Sequence, residues 1–273
     1  MSQSLMHARA ELSQHLSIAA LLRDEPDRLS RFQADFAGLH FDFSRALMSG
    51  ADLRALLDNA DDQSLKASIA SLFIGDPINQ TENRAVMHMA LRQPLRDFFA
   101  KGEAISEDVR AGLAATTQFA CDIRAGKITA SDGKPFKSIL HLGIGGSDLG
   151  PRLVYEALAP TKGGDITLRF AANVEPHELA AALEGLDPQR TLILCVSKTF
   201  ATLETLENLK AARTWLQKSI GADDSQHLAA ISAAPARTQA LGFLPDRVFD
   251  FRGVFGGTNH RRDLMSDKDT TCN

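Results

Sequence analysis

Lys137-Ser138-Ile139-Leu140-His141-Leu142-Gly143-Ile144-Gly145-Gly146-Ser147-Asp148-Leu149-Gly150-Pro151 decides how this chain is read. An apolar run, Ile139 to Leu142, leads into a glycine cluster, and a periodic segment, Arg152 to Leu158, follows. That order spells strand, tight loop, helix. Gly143, Gly145 and Gly146 allow a sharp turn and a close approach to a ligand. A helix starting near Ser147 or Asp148 aims its free N–H groups into the loop, a setting suited to an anion, most commonly phosphate. The plainer alternative is a capping turn that binds nothing.

Working outward, the texture of the chain changes after Gly126, where short apolar runs begin to alternate with helical segments. Strands are expected at Ser138–Leu142, Ile166–Ala171, Arg190–Val196, Gln226–Ile231 and Arg247–Phe251. Helices are expected at Asp148–Ala159, Glu175–Glu184, Thr202–Lys218 and Pro235–Leu241. The alternation predicts an α/β fold, a parallel sheet of about five strands flanked by helices. Upstream, Ala8–Leu21, Asp27–Phe36, Arg45–Leu57, Ser64–Phe73 and Ser106–Ala125 show helical spacing, the last with Ser106 as N-cap. Gly38–Ser44 reads as an extended turn between them. A further helix is expected after Asn79 or Thr81, with Val86, Met89 and Ala90 inward. His88, within it, reads as a packed or hydrogen-bonded histidine before a catalytic one.

A second loop repeats the logic of the first. The third strand runs into Ser197-Lys198-Thr199-Phe200-Ala201-Thr202-Leu203-Glu204-Thr205. Ser197, Thr199 and Thr202 offer hydroxyls, Lys198 a charge, and the following helix its N–H groups. Loops leaving strand C-termini in an open parallel sheet gather along one edge, so Ser147 and the 197–202 loop are expected to converge on one phosphate. Either loop alone could be an ordinary helix cap. A dinucleotide fingerprint fits Gly143 and Gly145 but places Asp148 at its sixth position, and no acidic residue ends the second strand. The Walker loop fails for want of Gly-Lys-Ser/Thr.

Composition narrows the class. The 273 residues are 44% apolar, with 30 basic and 34 acidic side chains, so a large core is affordable and no basic surface serves nucleic acid. Cys121, Cys195 and Cys272 lack paired metal spacing, and Cys195 lies in an apolar run as a buried thiol. The N-terminus lacks a signal peptide's apolar core and no run is long enough to span a membrane, so a cytoplasmic protein is expected.

Three blocks resemble the glucose-6-phosphate isomerase family: Gly143–Pro151, Ser197–Thr205, and Asn79-Gln80-Thr81-Glu82-Asn83-Arg84-Ala85-Val86-Met87-His88. The resemblance runs to about Gly257. It implies a sugar-isomerase α/β domain at 126–252, after an N-terminal helical region, 1–125, and before a divergent or disordered tail, 253–273. It implies hexose 6-phosphate as ligand and neither metal nor organic cofactor. The phosphate-binding positions fall on Gly146, Ser147, Ser197, Lys198, Thr199, Phe200, Ala201 and Thr202. Ala201 replaces the threonine usual there. A homodimer is implied for the full-length family, and nothing for the state of this chain.

The chain also departs from the family. Phe251-Arg252-Gly253-Val254-Phe255-Gly256-Gly257-Thr258-Asn259-His260 stands where a Trp-rich segment is usual, and Thr258 replaces an arginine that stabilises charge on the substrate. Arg261 and Arg262 lie nearby without a shown role. The resemblance implies a glutamate base, a histidine and a lysine in a second domain or at the family's C-terminus, and none of those motifs is in this sequence. The chain is therefore expected to be a truncated isomerase with the phosphate-binding half and no catalytic residues, its tail a frame shift or a natural variant. Glu204 and His88 are not assigned as substitutes. The alternative is a stand-alone phosphosugar-binding regulatory domain.

Overall fold

The computed structural model describes residue 11 and residues 16–62, 64–81, 83–93, 95–158 and 166–250. The expectations for Ala8, for Ala159 and for everything from Phe251 onward, including Thr258, Arg261 and Arg262, lie outside them. The chain divides into two compact units, with the boundary between Ser71 and Leu72.

In the first unit, helix α1 (Ile18–Asp24) starts at Ser17, whose Oγ accepts the Ala20 N–H at 3.1 Å. A short α2 (Arg28–Arg31) follows. The helix expected to run on to Phe36 stops there. Gln33–Phe36 (β1) instead pairs antiparallel with Leu39–Asp42 (β2) across Ala37-Gly38, both at positive φ, as a two-residue hairpin requires. Arg28 is buried. Its Nε and Nη2 donate to the Ser44 and Ala46 carbonyls at 2.6 and 2.7 Å, Nη1 meets Glu25, and the guanidinium lies over Phe32. Helix α3 (Gly50–Asp62) opens on a capping box in which Asp52 accepts the Ser49 N–H and Ser49 Oγ the Asp52 N–H. Helix α4 (Leu65–Ile74) crosses the boundary.

In the second unit, residues 79–92 do not form the expected helix. Asn79 bridges Arg84, and only His88–Leu91 coils, as a 3-10 turn. Met89 and Ala90 are buried as expected, with Phe98, Ile105 and Val109, but Ala85 and Met87 join them while Val86 is only half-buried. A small hairpin, β3 (Phe99–Ala100) with β4 (Glu103–Ala104), precedes α5 (Ser106–Arg124). Ile105, not Ser106, occupies the cap position.

The sheet is β5 (Ser138–Leu142), β6 (Thr167–Ala171), β7 (Thr191–Val196), β8 (Leu228–Ile231) and β9 (Val248–Phe249), all parallel, in the order β6-β5-β7-β8-β9. Crossovers are α6 (Gly146–Ala157), α7 (Pro176–Leu183), α8 (Leu203–Ile220) and α9 (Pro235–Ala240). One face of the sheet, Leu140, Leu142, Ile193, Cys195 and Ala230, packs on Leu179, Leu209, Ala212 and Leu216 of α7 and α8. The other, Ile139, Leu192, Leu194, Val196 and Ile231, packs on Phe119 and Ile123 of α5 and Tyr155 of α6. Cys195 is the buried thiol expected, and burial raises its pKa. No helix among the described residues is long and apolar enough to cross a membrane.

Candidate functional site

Strand order fixes where a ligand can bind. From β5 the chain crosses to β6 on one side, then returns past β5 to β7 on the other. The loops after β5 and β7 therefore part in opposite directions, and the crevice between them is the topological switch point of the sheet. Register sets Leu142 beside Cys195, so both loops leave from the same level.

The first loop is Gly143-Ile144-Gly145. A Cβ on Gly143 would lie 2.8 Å from both the Cβ and the carbonyl oxygen of Ser147, so only glycine lets the helix start this close to the strand. Gly145, at φ 59° and ψ −124°, occupies a region that side chains avoid and forms the cap of α6. Gly146 and Ser147 are the first two residues of that helix, and Ser147 is buried.

Asp148 does not face the loop. It is buried, and Arg152, one turn on, holds both its oxygens at 2.9–3.1 Å. Asp148 in turn raises the Arg152 pKa. Arg152 also reaches Glu178 at 3.5 Å and lies over the Phe170 ring. Glu178 accepts the Ala172 and Asn173 N–H groups after β6. The Asp148 to Arg152 spacing was a readable i,i+4 pair. The return of Glu178 to the β6 loop had no sequence signal.

The second loop carries the hydroxyls. Ser197 is buried, its N–H donating to the Ile231 carbonyl, and its Oγ lies 3.2 Å from Thr202 Oγ1. Thr202 caps α8 by its backbone while its side chain turns to Ser197 instead of the helix, so this hydroxyl pair is not consumed in capping. The Lys198 carbonyl accepts from the Ala233 N–H, and the Thr199 carbonyl from Arg237 Nη1 at 3.0 Å, which anchors the loop from outside. Thr199 and Ala201 are exposed and Lys198 is half-buried. Phe200 adopts φ 47° with its ring buried edge-on against Phe243, a left-handed residue held by packing. Three residues into α8, the Thr205 hydroxyl is buried with no partner among the described residues.

Of the residues singled out from the sequence, Gly146 and Ser147 come to one wall of the crevice and Ser197 through Thr202 to the other. Glu204 lies half-buried in the first turn of α8. His88 lies in the 3-10 turn that packs on α5, and burial followed by the Arg92 charge lowers its pKa. His141 was not singled out, although it is buried directly beneath Ser147.

The family model for phosphoglucose isomerase matches residues 42–265, further than Gly257, where the sequence resemblance fades. Glucose-6-phosphate isomerase of Caulobacter vibrioides (strain NA1000 / CB15N) is 44% identical over 254 residues, covering 92% of this chain and 47% of that protein. That of Roseiflexus castenholzii is 39% identical, with 92% and 46% covered. The crystal structure of a glucose-6-phosphate isomerase from Chlamydia trachomatis superposes with a TM-score of 0.72 at 24% identity, over 93% of this chain and 48% of the other, a likeness of fold. The chain spans about half the length of the curated relatives it matches.

Proposed function

Because the chain belongs to the phosphoglucose isomerase family, we propose that it supplies the phosphate-binding part of a hexose 6-phosphate site serving the interconversion of glucose 6-phosphate and fructose 6-phosphate in the cytoplasm. The observation that carries this reading is the pairing of β5 with β7, with two helix starts beside it and a Ser197–Thr202 hydroxyl pair bonded to each other instead of capping the helix. The first-turn N–H at Gly146 and the hydroxyls of Ser147, Ser197, Thr199 and Thr202 meet the phosphate, the Ser147 N–H being held by the Ile144 carbonyl. The Phe200 and Ala201 backbone closes over it. Lys198 balances its charge. Holding the phosphate there orients the sugar without consuming any group that the chemistry needs.

Isomerisation passes a proton between C2 and C1 through an enediol and needs a carboxylate base. Three carboxylates lie in the first turns of α6, α7 and α8. Asp148 is taken by Arg152, and Glu178 is taken by backbone N–H groups. Glu204 sits where its charge complements the helix dipole. The base is proposed to lie elsewhere, so the 273-residue chain by itself is expected to show no turnover.

Calorimetry with glucose 6-phosphate tests the binding half of this reading. Ser147→Ala and Lys198→Ala should each weaken affinity by roughly 1.5–3 kcal/mol, about ten- to a hundred-fold. Tight NAD binding indifferent to both changes would restore the dinucleotide reading. A coupled assay with fructose 6-phosphate, on protein from a host lacking its own isomerase, tests the other half. Turnover abolished by Glu204→Gln would make Glu204 the base.

A further inference from the structure

Helix α6 contains a proline, Pro151, six residues in. Proline has no N–H for the carbonyl four residues back, and its ring crowds that carbonyl. Four back is Ser147. The carbonyl is nevertheless served: His141 Nε2 lies 2.7 Å from it. A carbonyl only accepts, so Nε2 carries the hydrogen. The imidazole is 4% exposed and rests against the Phe170 ring at 5.1 Å. Burial is the main cause lowering its pKa, so the ring is the neutral Nε2–H tautomer. One hydrogen bond thus ties strand β5 to the first turn of α6 across the Gly143-Ile144-Gly145 loop.

We propose that His141 is a positioning residue for the phosphate site: by donating to the Ser147 carbonyl, to which Pro151 has no N–H to give, it holds the first turn of α6 at the crevice. The inference rests on reading that turn as one wall of a phosphate site. A histidine that merely fills the core would be replaceable by any apolar side chain of similar size, whatever stood at position 151.

Glucose 6-phosphate binding to the full chain, measured by calorimetry, separates the two. His141→Leu should weaken binding about five-fold or more, while His141→Gln, which can donate from a similar position, stays within about two-fold of wild type. Pro151→Ala restores an N–H for Ser147, so adding His141→Leu to it should lose less than about two-fold. Equal losses from His141→Leu in both backgrounds would overturn the inference. If His141→Leu alone does not fold, Pro151→Ala must restore both folding and binding, and failure to do so overturns it as well. Wild-type protein that binds no glucose 6-phosphate would sink the phosphate reading and this inference together. Wild-type binding that His141→Leu leaves intact would sink the inference alone.

Discussion

His227 shows how a single buried ring can make the protein sensitive to acid. Its side chain has no exposed surface. Nδ1–H donates to the Thr191 carbonyl at 2.9 Å, and Nε2 accepts the Ser131 N–H at 3.2 Å. Protonating Nε2 would set a hydrogen against the Ser131 backbone N–H, which cannot turn away, and leave the Ser131 hydroxyl, 3.1 Å from Nε2, as its acceptor. Burial, then the nearby Arg247 and Arg190 charges, lower its pKa against the opposing pull of Thr191. His141 is lowered too, chiefly by burial. The unfolded chain titrates these groups near about 6.5. Between that value and the lower folded one, the unfolded state holds more protons, so stability is full above about pH 6.5 and declines as pH falls. Thermal melts between pH 7.5 and 5 should show a steady fall in Tm for the wild type and a shallower one for His227→Gln. Parallel curves would mean that His227 does not titrate in this range.

Among the elements, those buried on both sides were the legible ones. All residues of β5 and β7 are buried, so β7 appears in sequence as the apolar run Leu192–Val196 and β5 as one interrupted by His141, and the expected limits match to within a residue. The hairpin β1–β2 failed for the opposite reason. All its residues are exposed, so no face marks a period of two, and helical spacing in 27–36 prevailed. The stretch 79–92 offered Met and Ala at spacings that suit either period, and only the packing against Phe98 and Ile105 decides. Both crevice loops were readable because glycines or hydroxyls directly follow apolar runs. His141 was not, since its meaning depends on a proline ten residues later. Ser106 gives the element scale a test. Read as an N-cap, it instead accepts the buried Phe98 N–H at 2.6 Å and ties α5 to the segment before β3. Ser106→Ala should therefore destabilise by about 1–3 kcal/mol, the cost of a buried donor left unpaired, beyond what an exposed cap loses. Urea unfolding would measure it, and a change under about 0.5 kcal/mol would return Ser106 to an ordinary cap.

The two units differ in how much apolar surface they bury, and that difference sets how the whole molecule should behave. Among the described residues up to Ser71, the buried apolar side chains are Leu21, Phe32 and Ala55, beside the buried Arg28. In the same span Leu29, Phe36, Leu39, Phe41, Leu57 and Leu65 are each about half exposed or more. A large side chain left wholly in water forgoes roughly 1.5–3 kcal/mol, and one left half exposed about half of that. Six of them, exposed to this degree, forgo about 5–10 kcal/mol, which is comparable to the whole stability of an ordinary domain, about 5–15 kcal/mol. The second unit, by contrast, closes apolar clusters on both faces of its sheet. Local opening should then cost little in the first unit and nearly the full unfolding free energy in the sheet. Hydrogen exchange on the soluble 273-residue chain should find amides of Ser138–Leu142 and Thr191–Val196 protected orders of magnitude beyond those of Ile18–Asp24 and Gly50–Asp62. The same exposed apolar surface favours association, so light scattering should rise with concentration well before the sheet unfolds. Equal protection in both units of a monodisperse monomer would mean that the first unit is held by something other than its own apolar core. Its ties would then have to be polar ones, with Arg28 between Ser44, Ala46 and Glu25 the first to remove.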